Sequence, residues 1–183
     1  QLNEKLARQI QIDALTGAFN RRALNIEIQR LFTLTQNHTN STLTFAMLDV
    51  DYFKNYNDYY GHLKGDAILK DLVKVIQQAL PESAYVARYG GEEFAIILHD
   101  LKNKQDCFLM LKRILNVMSA PVFSKEIVMQ VSASMGVTFF NQNDIVDADQ
   151  LLRQADHAMY QAKLSGKNRF HIFDVKKKKN LRI

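Results

Sequence analysis

The carboxylates Asp49, Asp51, Glu92 and Glu93 stand at the ends of apolar runs. Glu92 and Glu93 lie in Arg88-Tyr89-Gly90-Gly91-Glu92-Glu93-Phe94, flanked by the strand-like segments Ala84–Tyr89 and Phe94–Leu98. Two glycines between such runs predict a β-hairpin whose tight turn uses positive φ. Side chains alternate along a strand, so Glu92 and Glu93 are expected on opposite sides. Taken alone, the segment also reads as a solvated turn with charged flanks. A metal–phosphate site needs a further carboxylate, and Leu43–Leu48 supplies one as an apolar strand ending in Asp49-Val50-Asp51. Mg²⁺ is usually held by a few carboxylates together with the oxygens of a substrate phosphate, so phosphoryl transfer is the chemistry this set suits. Asp49 and Glu92 meet if the two strands are neighbours.

Donors for phosphate lie nearby. Lys54 follows the aromatic pair Tyr52-Phe53, and the backbone N–H groups from Tyr52 to Lys54 are placed to cradle phosphates at the start of a short helix. Lys163 and Lys167 are spaced as one helical turn, which predicts a shared face and a clamp. The five histidines show no metal-ligand spacing, and His62 reads as structural. Cys107, the single cysteine, sits in an apolar helical pattern and is expected to be a buried, inert thiol; it also excludes an internal disulfide. Ser132 and Ser134 offer no nucleophile–base pair. No Gly-x-Gly-x-x-Gly or Walker-type loop is present, which counts against kinases and classical NTPases.

These segments, in this order, resemble the GGDEF-domain diguanylate cyclases. Asp13-Ala-Leu-Thr-Gly17 with Asn20-Arg21-Arg22 is similar to the motif that opens that family's domain. Asp49-x-Asp51-x-Phe53-Lys54-x-x-Asn57-Asp58 resembles its nucleotide-binding segment, Gly90 to Phe94 its signature, and Lys163-x-x-Gly166-Lys167-Asn168 its C-terminal phosphate segment. The resemblance implies Mg²⁺ or Mn²⁺ held by Asp49, Glu92 and the backbone carbonyl of Val50. Glu93 is implied at the metal or in deprotonation. For Asp51, a structural hydrogen-bonding role is as open as a catalytic one. Asn57 and Asp66 match the guanine-reading positions, because an ionised carboxylate accepts guanine's N1–H and 2-amino group together, whereas adenine presents a lone pair at N1. Without the family match, Asp66 would read as an acid at a helix N-terminus. Phe53 and Leu69 are implied as pocket lining, and Lys54, Lys163 and Lys167 as phosphate ligands. The family often carries Arg where Lys167 stands, so orientation of the phosphate is expected to be weaker with the charge kept.

The activity so implied joins two GTP into cyclic di-GMP with release of two pyrophosphates, in a homodimer whose half-sites face each other. The alternatives are a degenerate module that binds GTP or cyclic di-GMP to regulate a neighbour, and an ATP-using cyclase, against which Asp66 speaks. Many members also carry an Arg-x-x-Asp inhibitory product site before the hairpin. Here the four positions are Pro81-Glu82-Ser83-Ala84, with neither the arginine nor the aspartate, so no such site is expected.

With 183 residues the chain is long enough for one domain with a proper core, and no run of about 18 apolar residues suggests a membrane span. The net charge of +5 is matched by Lys176, Lys177, Lys178, Lys179 and Arg182 at the end of the chain, leaving a neutral body without a basic stripe for nucleic acid. The first residue is Gln rather than Met, so the chain is expected to be a piece of a longer, cytoplasmic or membrane-anchored protein. Residues 1–12 are expected as the helical end of a stalk from an upstream sensor, 13–174 as the catalytic domain, and 175–183 as a basic, disordered tail. Within the domain, helices are expected over Arg21–Thr35, Phe53–Tyr59, Gly65–Leu80, Lys104–Met118 and from Asp147 to Leu164. Strands are expected at Leu43–Leu48, in the glycine hairpin, at Pro121–Phe123, Val128–Phe140 and Arg169–Phe173. Strands alternating with helices, plus two hairpins, indicate an α/β fold with a central mixed sheet packed by helices; the resemblance makes it palm-like, as in nucleotidyl cyclases.

Overall fold

The computed structural model describes residues 11–38, 41–99, 101, 104–119, 122–124, 127–129 and 131–174. The expected stalk helix and basic tail fall outside these residues, apart from Gln11 and Ile12. Among the described residues, five helices and seven strands are formed: α1 (Arg21–Asn37), β1 (Thr42–Val50), α2 (Phe53–Tyr60), α3 (His62–Ala79), β2 (Tyr85–Arg88), β3 (Glu93–His99), α4 (Lys104–Ser119), β4 (Val122–Ser124), β5 (Ile127–Met129), β6 (Ala133–Asn141), α5 (Ala148–Leu164) and β7 (Arg169–Ile172). The main sheet runs β2-β3-β1-β6-β7, with β6 and β7 parallel and the other pairs antiparallel. It is the mixed sheet that the alternation of strand and helix predicts.

β1 is buried along nearly its whole length because it is the middle strand and both its faces are covered. Ala46, Leu48 and Val50 pack with Phe94, Ile96, Met135 and Val137 under α3 and α4. Leu43, Phe45 and Met47 pack with Ala95, Ile97 and Phe140 under α1 and α5. This alternation sets the address of Asp49, which follows Met47 by two residues and belongs to the α1/α5 face. α1 starts where the Asn20 side chain accepts the Ala23 N–H at 2.9 Å, and α5 starts with a capping box of Asp147 and Gln150.

Most boundaries fall within two residues of expectation, and two differ by more. Val128–Phe140 is not one strand: β5 pairs with β4 as a separate two-stranded sheet, and β6 begins afresh at Ala133. α3 begins at His62 rather than Gly65, because Gly61 takes φ +86° and serves at once as the C-cap of α2 and the N-cap of α3. None of the described helices is long and apolar enough to cross a membrane. Cys107 is buried, and burial pushes its thiol up to about 11, in keeping with an inert core residue.

Candidate active site

The C-terminal end of β1 and the N-terminal end of β3 meet at the same edge of the core. In the register Asp49 lies opposite Glu93, and the Val50 N–H donates to the Glu92 carbonyl at 3.2 Å. Asp49 and Glu93 therefore form a non-hydrogen-bonded cross-strand pair, the type whose side chains stand closest. Glu93, with Met47, Tyr89, Leu152, Arg153 and Asp156, lines a cavity of about 320 Å³ on the α5 side of the sheet. Glu93 is thus the strand residue facing Asp49, while Glu92 belongs to the loop just before the strand.

Like charges placed directly opposite are unfavourable unless a cation lies between them. One cation is present: Lys163 Nζ, from the last turn of α5, sits 3.1 Å from Asp49 Oδ2, with the aspartate side chain only 12% exposed. Burial raises the Asp49 pKa above its ordinary value; Lys163 opposes this, while the charges of Glu92 and Glu93 add to it. Among the described residues, no group of three or more His, Cys, Asp or Glu side chains is drawn together tightly enough to hold a metal by itself. The available donors are hard oxygens and few in number. That suits Mg²⁺ or Mn²⁺, which complete their shells with water and substrate phosphate.

The tip that carries Glu92 is held in a way the spacing did not foretell. Neither Gly90 nor Gly91 takes positive φ, so the expected primed turn is not formed. The loop is longer: Tyr89 N–H donates to the Glu93 carbonyl at 2.8 Å, and four residues separate the strands. Gly90 serves close approach instead. A Cβ on Gly90 would come within 3.1 Å of Glu93 Oε2, whereas one on Gly91 would meet nothing within 4 Å. The Arg88 guanidinium fastens the tip, donating to the Gly91 carbonyl at 2.8 and 3.0 Å and to the Gly90 carbonyl at 3.2 Å. Its remaining nitrogen donates to both oxygens of Asp13, at 3.2 and 3.3 Å. Asp13 also accepts from the Thr16 hydroxyl and N–H at 2.7 and 2.9 Å. Burial alone would raise the Asp13 pKa, but Thr16 and Arg88 outweigh it and hold the carboxyl below its usual range. Beside it, the Arg21 guanidinium lies 4.4 Å from the centre of the Tyr89 ring. Arg88 and Asp13 stand 75 residues apart, so no local spacing relates them.

α2 and α3 pack closely where Asn57 meets Gly65, the corner expected to read the base. Asn57 Oδ1 is buried and has no hydrogen-bond partner, which is unusual for a carboxamide and costly unless a ligand supplies a donor. Gly65 makes the packing possible, because an added Cβ would overlap the Asn57 carboxamide. Asp66 follows Gly65 directly. With α3 starting at His62, Asp66 is its fifth residue, beyond the first turn, where the dipole favours acids most. Phe53 and Leu69 are 8% and 1% exposed, the floor of this corner as much as part of the core.

The segments expected to hold phosphate contain left-handed backbone. Tyr52 has φ 56° and precedes α2 without a side-chain cap, so the first-turn N–H groups, with Lys54 exposed beside them, are open to an anion. Gly166, Lys167 and Asn168 take φ of 113°, 60° and 46° in succession. Non-glycine residues seldom adopt this region, and such strain gathers where surroundings impose it. The turn carries Lys167 out of the helix, so Lys163 and Lys167 do not share a helical face. Lys163 reaches Asp49, whereas Lys167 Nζ lies 4.8 Å from the centre of the Tyr52 ring. Asp51 ties these parts together, accepting from the Ser132 and Ser134 hydroxyls at 2.6 Å each and from the Asn168 N–H at 3.0 Å. These bonds favour the structural role for Asp51.

The profile of the family described as diguanylate cyclase, GGDEF domain, matches residues 10–169. This chain belongs to the GGDEF family. Diguanylate cyclase DgcP of Pseudomonas aeruginosa is 32% identical over 87% of the GGDEF chain, which spans 23% of that relative. The cyclic di-GMP phosphodiesterase NbdA of the same organism is also 32% identical, over 92% of this chain and 21% of its own length. The structure of the active GGEEF domain of a diguanylate cyclase from Vibrio cholerae superimposes with a TM-score of 0.76 at 30% identity, covering 85% of this chain and 97% of that one. The GGDEF chain therefore spans about a fifth to a quarter of the two curated relatives.

Proposed function

We propose that this GGDEF domain is a diguanylate cyclase, condensing two GTP into cyclic di-GMP and two pyrophosphates in a homodimer that holds one nucleotide per subunit. The observation that carries this reading is the acidic edge, where Asp49 faces Glu93 across the strands, beside Glu92. In each half-reaction the 3′-oxygen of one GTP attacks the α-phosphorus of the other; the bond to the β-phosphate breaks and pyrophosphate leaves. Mg²⁺ or Mn²⁺ at Asp49, Glu92 and the Val50 carbonyl would neutralise the phosphate charge that builds up. Asn57 Oδ1 accepts from the guanine 2-amino group, and Asp66 accepts from the Watson–Crick edge. Lys54, Lys167 and the N-terminus of α2 bind the outer phosphates. Glu93 acts at the metal or accepts the proton of the 3′-hydroxyl. Phe53 and Leu69 form the wall behind the base. Because positioning supplies most of the rate in such chemistry, dimerisation is part of the mechanism. Control by an upstream sensor through a stalk, in the cytoplasm where GTP is available, completes the reading.

The test is turnover of GTP or ATP by the purified domain with Mg²⁺ or Mn²⁺, with the product identified by mass. Cyclic di-GMP from GTP is expected, and none of the adenine analogue from ATP. Asp49→Asn and Glu92→Gln should each lower the rate at least ~10²-fold with the fold kept. Near-wild-type turnover by Glu92→Gln would remove the assignment. The relation to NbdA favours a second reading, a nucleotide-binding module that regulates a larger enzyme. Such a module would bind GTP through Asn57 and Asp66 and yield no product in the same assay.

A further inference from the structure

Lys163 stands in the candidate site on the carboxylate assigned to the metal, rather than on the phosphates for which its motif is read. Its ammonium lies 3.1 Å from Asp49 Oδ2, and its side chain keeps 30% exposure, so it is in place without being enclosed. A lysine on a flexible stem can leave such a position at little cost in packing. The charges also leave room for more. Asp49, Glu92 and Glu93 in their ionised forms set three negative charges against the one positive charge of Lys163, a remainder matching one divalent cation. A divalent ion on Asp49 and the ammonium already there would repel each other at contact distance. The ion arriving alone must therefore displace Lys163 or bind beside it at a penalty. A triphosphate removes that penalty, because its oxygens give the displaced ammonium a partner.

We propose that Lys163 is an internal placeholder for the divalent cation, which keeps nucleotide-free metal binding weak and couples metal uptake to nucleotide uptake. This rests on the reading of Asp49 as a metal ligand given above. In the nucleotide-free protein, Lys163 balances the buried Asp49. When metal and nucleotide bind together, Lys163 turns from Asp49 to the phosphates, so each ligand strengthens the other beyond the nucleotide's own hold on the metal. Such coupling is reciprocal.

The test is Mn²⁺ binding, followed by electron paramagnetic resonance and calorimetry, on the wild type, Lys163→Met and Lys163→Arg. Without nucleotide, Lys163→Met is expected to bind Mn²⁺ about tenfold more tightly than wild type, with Lys163→Arg close to wild type. Adding a non-condensing methylene analogue of GTP should tighten Mn²⁺ binding by a larger factor in wild type than in Lys163→Met. Circular dichroism and thermal melts check folding; if Lys163→Met does not fold, Lys163→Gln carries the same expectation. Equal or weaker nucleotide-free binding in the neutral variant would overturn the proposal and make Lys163 a support that holds Asp49 for the metal. Asp49→Asn separates the two levels of the argument. If it leaves Mn²⁺ binding unchanged, the metal site lies elsewhere. Binding that needs Asp49 but ignores Lys163 overturns the placeholder alone.

Discussion

Two carboxylates facing each other across strands work against folding, and the single ammonium of Lys163 offsets the pair Asp49 and Glu93 only in part. Glu93→Gln is expected to raise the stability of the metal-free domain by up to ~1 kcal/mol at neutral pH, and to lower turnover. Because Asp49's folded pKa is raised, its ionisation opposes folding: the stability of its protonated form is present below the unfolded value of 3.8 and lost as pH rises through the folded one. The benefit of Glu93→Gln should therefore appear above that folded pKa and fade below it. Thermal melts from neutral to acid pH, with and without Mn²⁺, test this; a variant less stable than wild type at neutral pH would refute it. The other expense is the orphaned Asn57 Oδ1. If Asn57 and Asp66 read guanine, Asp66→Ala should reduce the preference for GTP over ATP by roughly 10²-fold or more, as when a buried polar pairing is lost. An unchanged preference in competition kinetics would place base recognition elsewhere.

At the scale of elements, the site is assembled by pieces that are short or strained and depend on their neighbours. Gly61 lets α2 and α3 fold back on one another, Gly65 lets them close on Asn57, and the left-handed turn after α5 brings the Asn168 N–H to Asp51. The glycine hairpin is closed by the Tyr89 N–H on the Glu93 carbonyl, and Arg88 ties its tip carbonyls to Asp13, in the turn that leads into α1. The folded Asp13 pKa is lowered, so its contribution is present above 3.8 and lost as pH falls through the lower folded value. Asp13→Asn is expected to cost about 1–2 kcal/mol at pH 7, a charge-assisted pair being worth more than an exposed one. Denaturant unfolding at pH 7 and again below pH 3 tests the sign. A deficit that stays constant with pH would mean that charge plays no part in the latch.

For the whole molecule, the proposed reaction depends on a second copy of the domain and on what restrains the pair. The surface beside β2 holds a cavity of about 360 Å³ lined by Phe19, Gln77, Leu80, Pro81, Glu82, Ala84 and Val86. Among the described residues no cation lines it, Pro81 has no N–H to give, and Glu82 repels phosphate. Added cyclic di-GMP is therefore expected neither to slow turnover at low micromolar levels nor to bind at this surface. Progress curves with added product, and calorimetric titration of product into the domain, check this; tight binding that disappears on mutation of this surface would refute it. Should the half-sites need each other, specific activity will rise with domain concentration.

The sequence by itself determined the composition of the site and much of its scaffold. The acids at strand ends, the stripes of α1, α3 and α5, the Asp147 cap and the burial of Cys107 depend on periodicity and local chemistry, which act within a few residues. The order of its motifs pointed to the family before any geometry was known. Tertiary structure decided what depends on distance through space. Register, not alternation alone, set Glu93 opposite Asp49. Helical spacing could not place Lys167, because Gly166 turns the chain before that residue is reached. Two glycines suggested a primed turn, yet the loop is shaped by Arg88 and Asp13, whose meeting follows only from how β2 packs against the turn before α1. Lys163 reads as a phosphate ligand in its motif and stands on Asp49 in the fold, because a charge is placed by the field around it as well as by its neighbours in the chain.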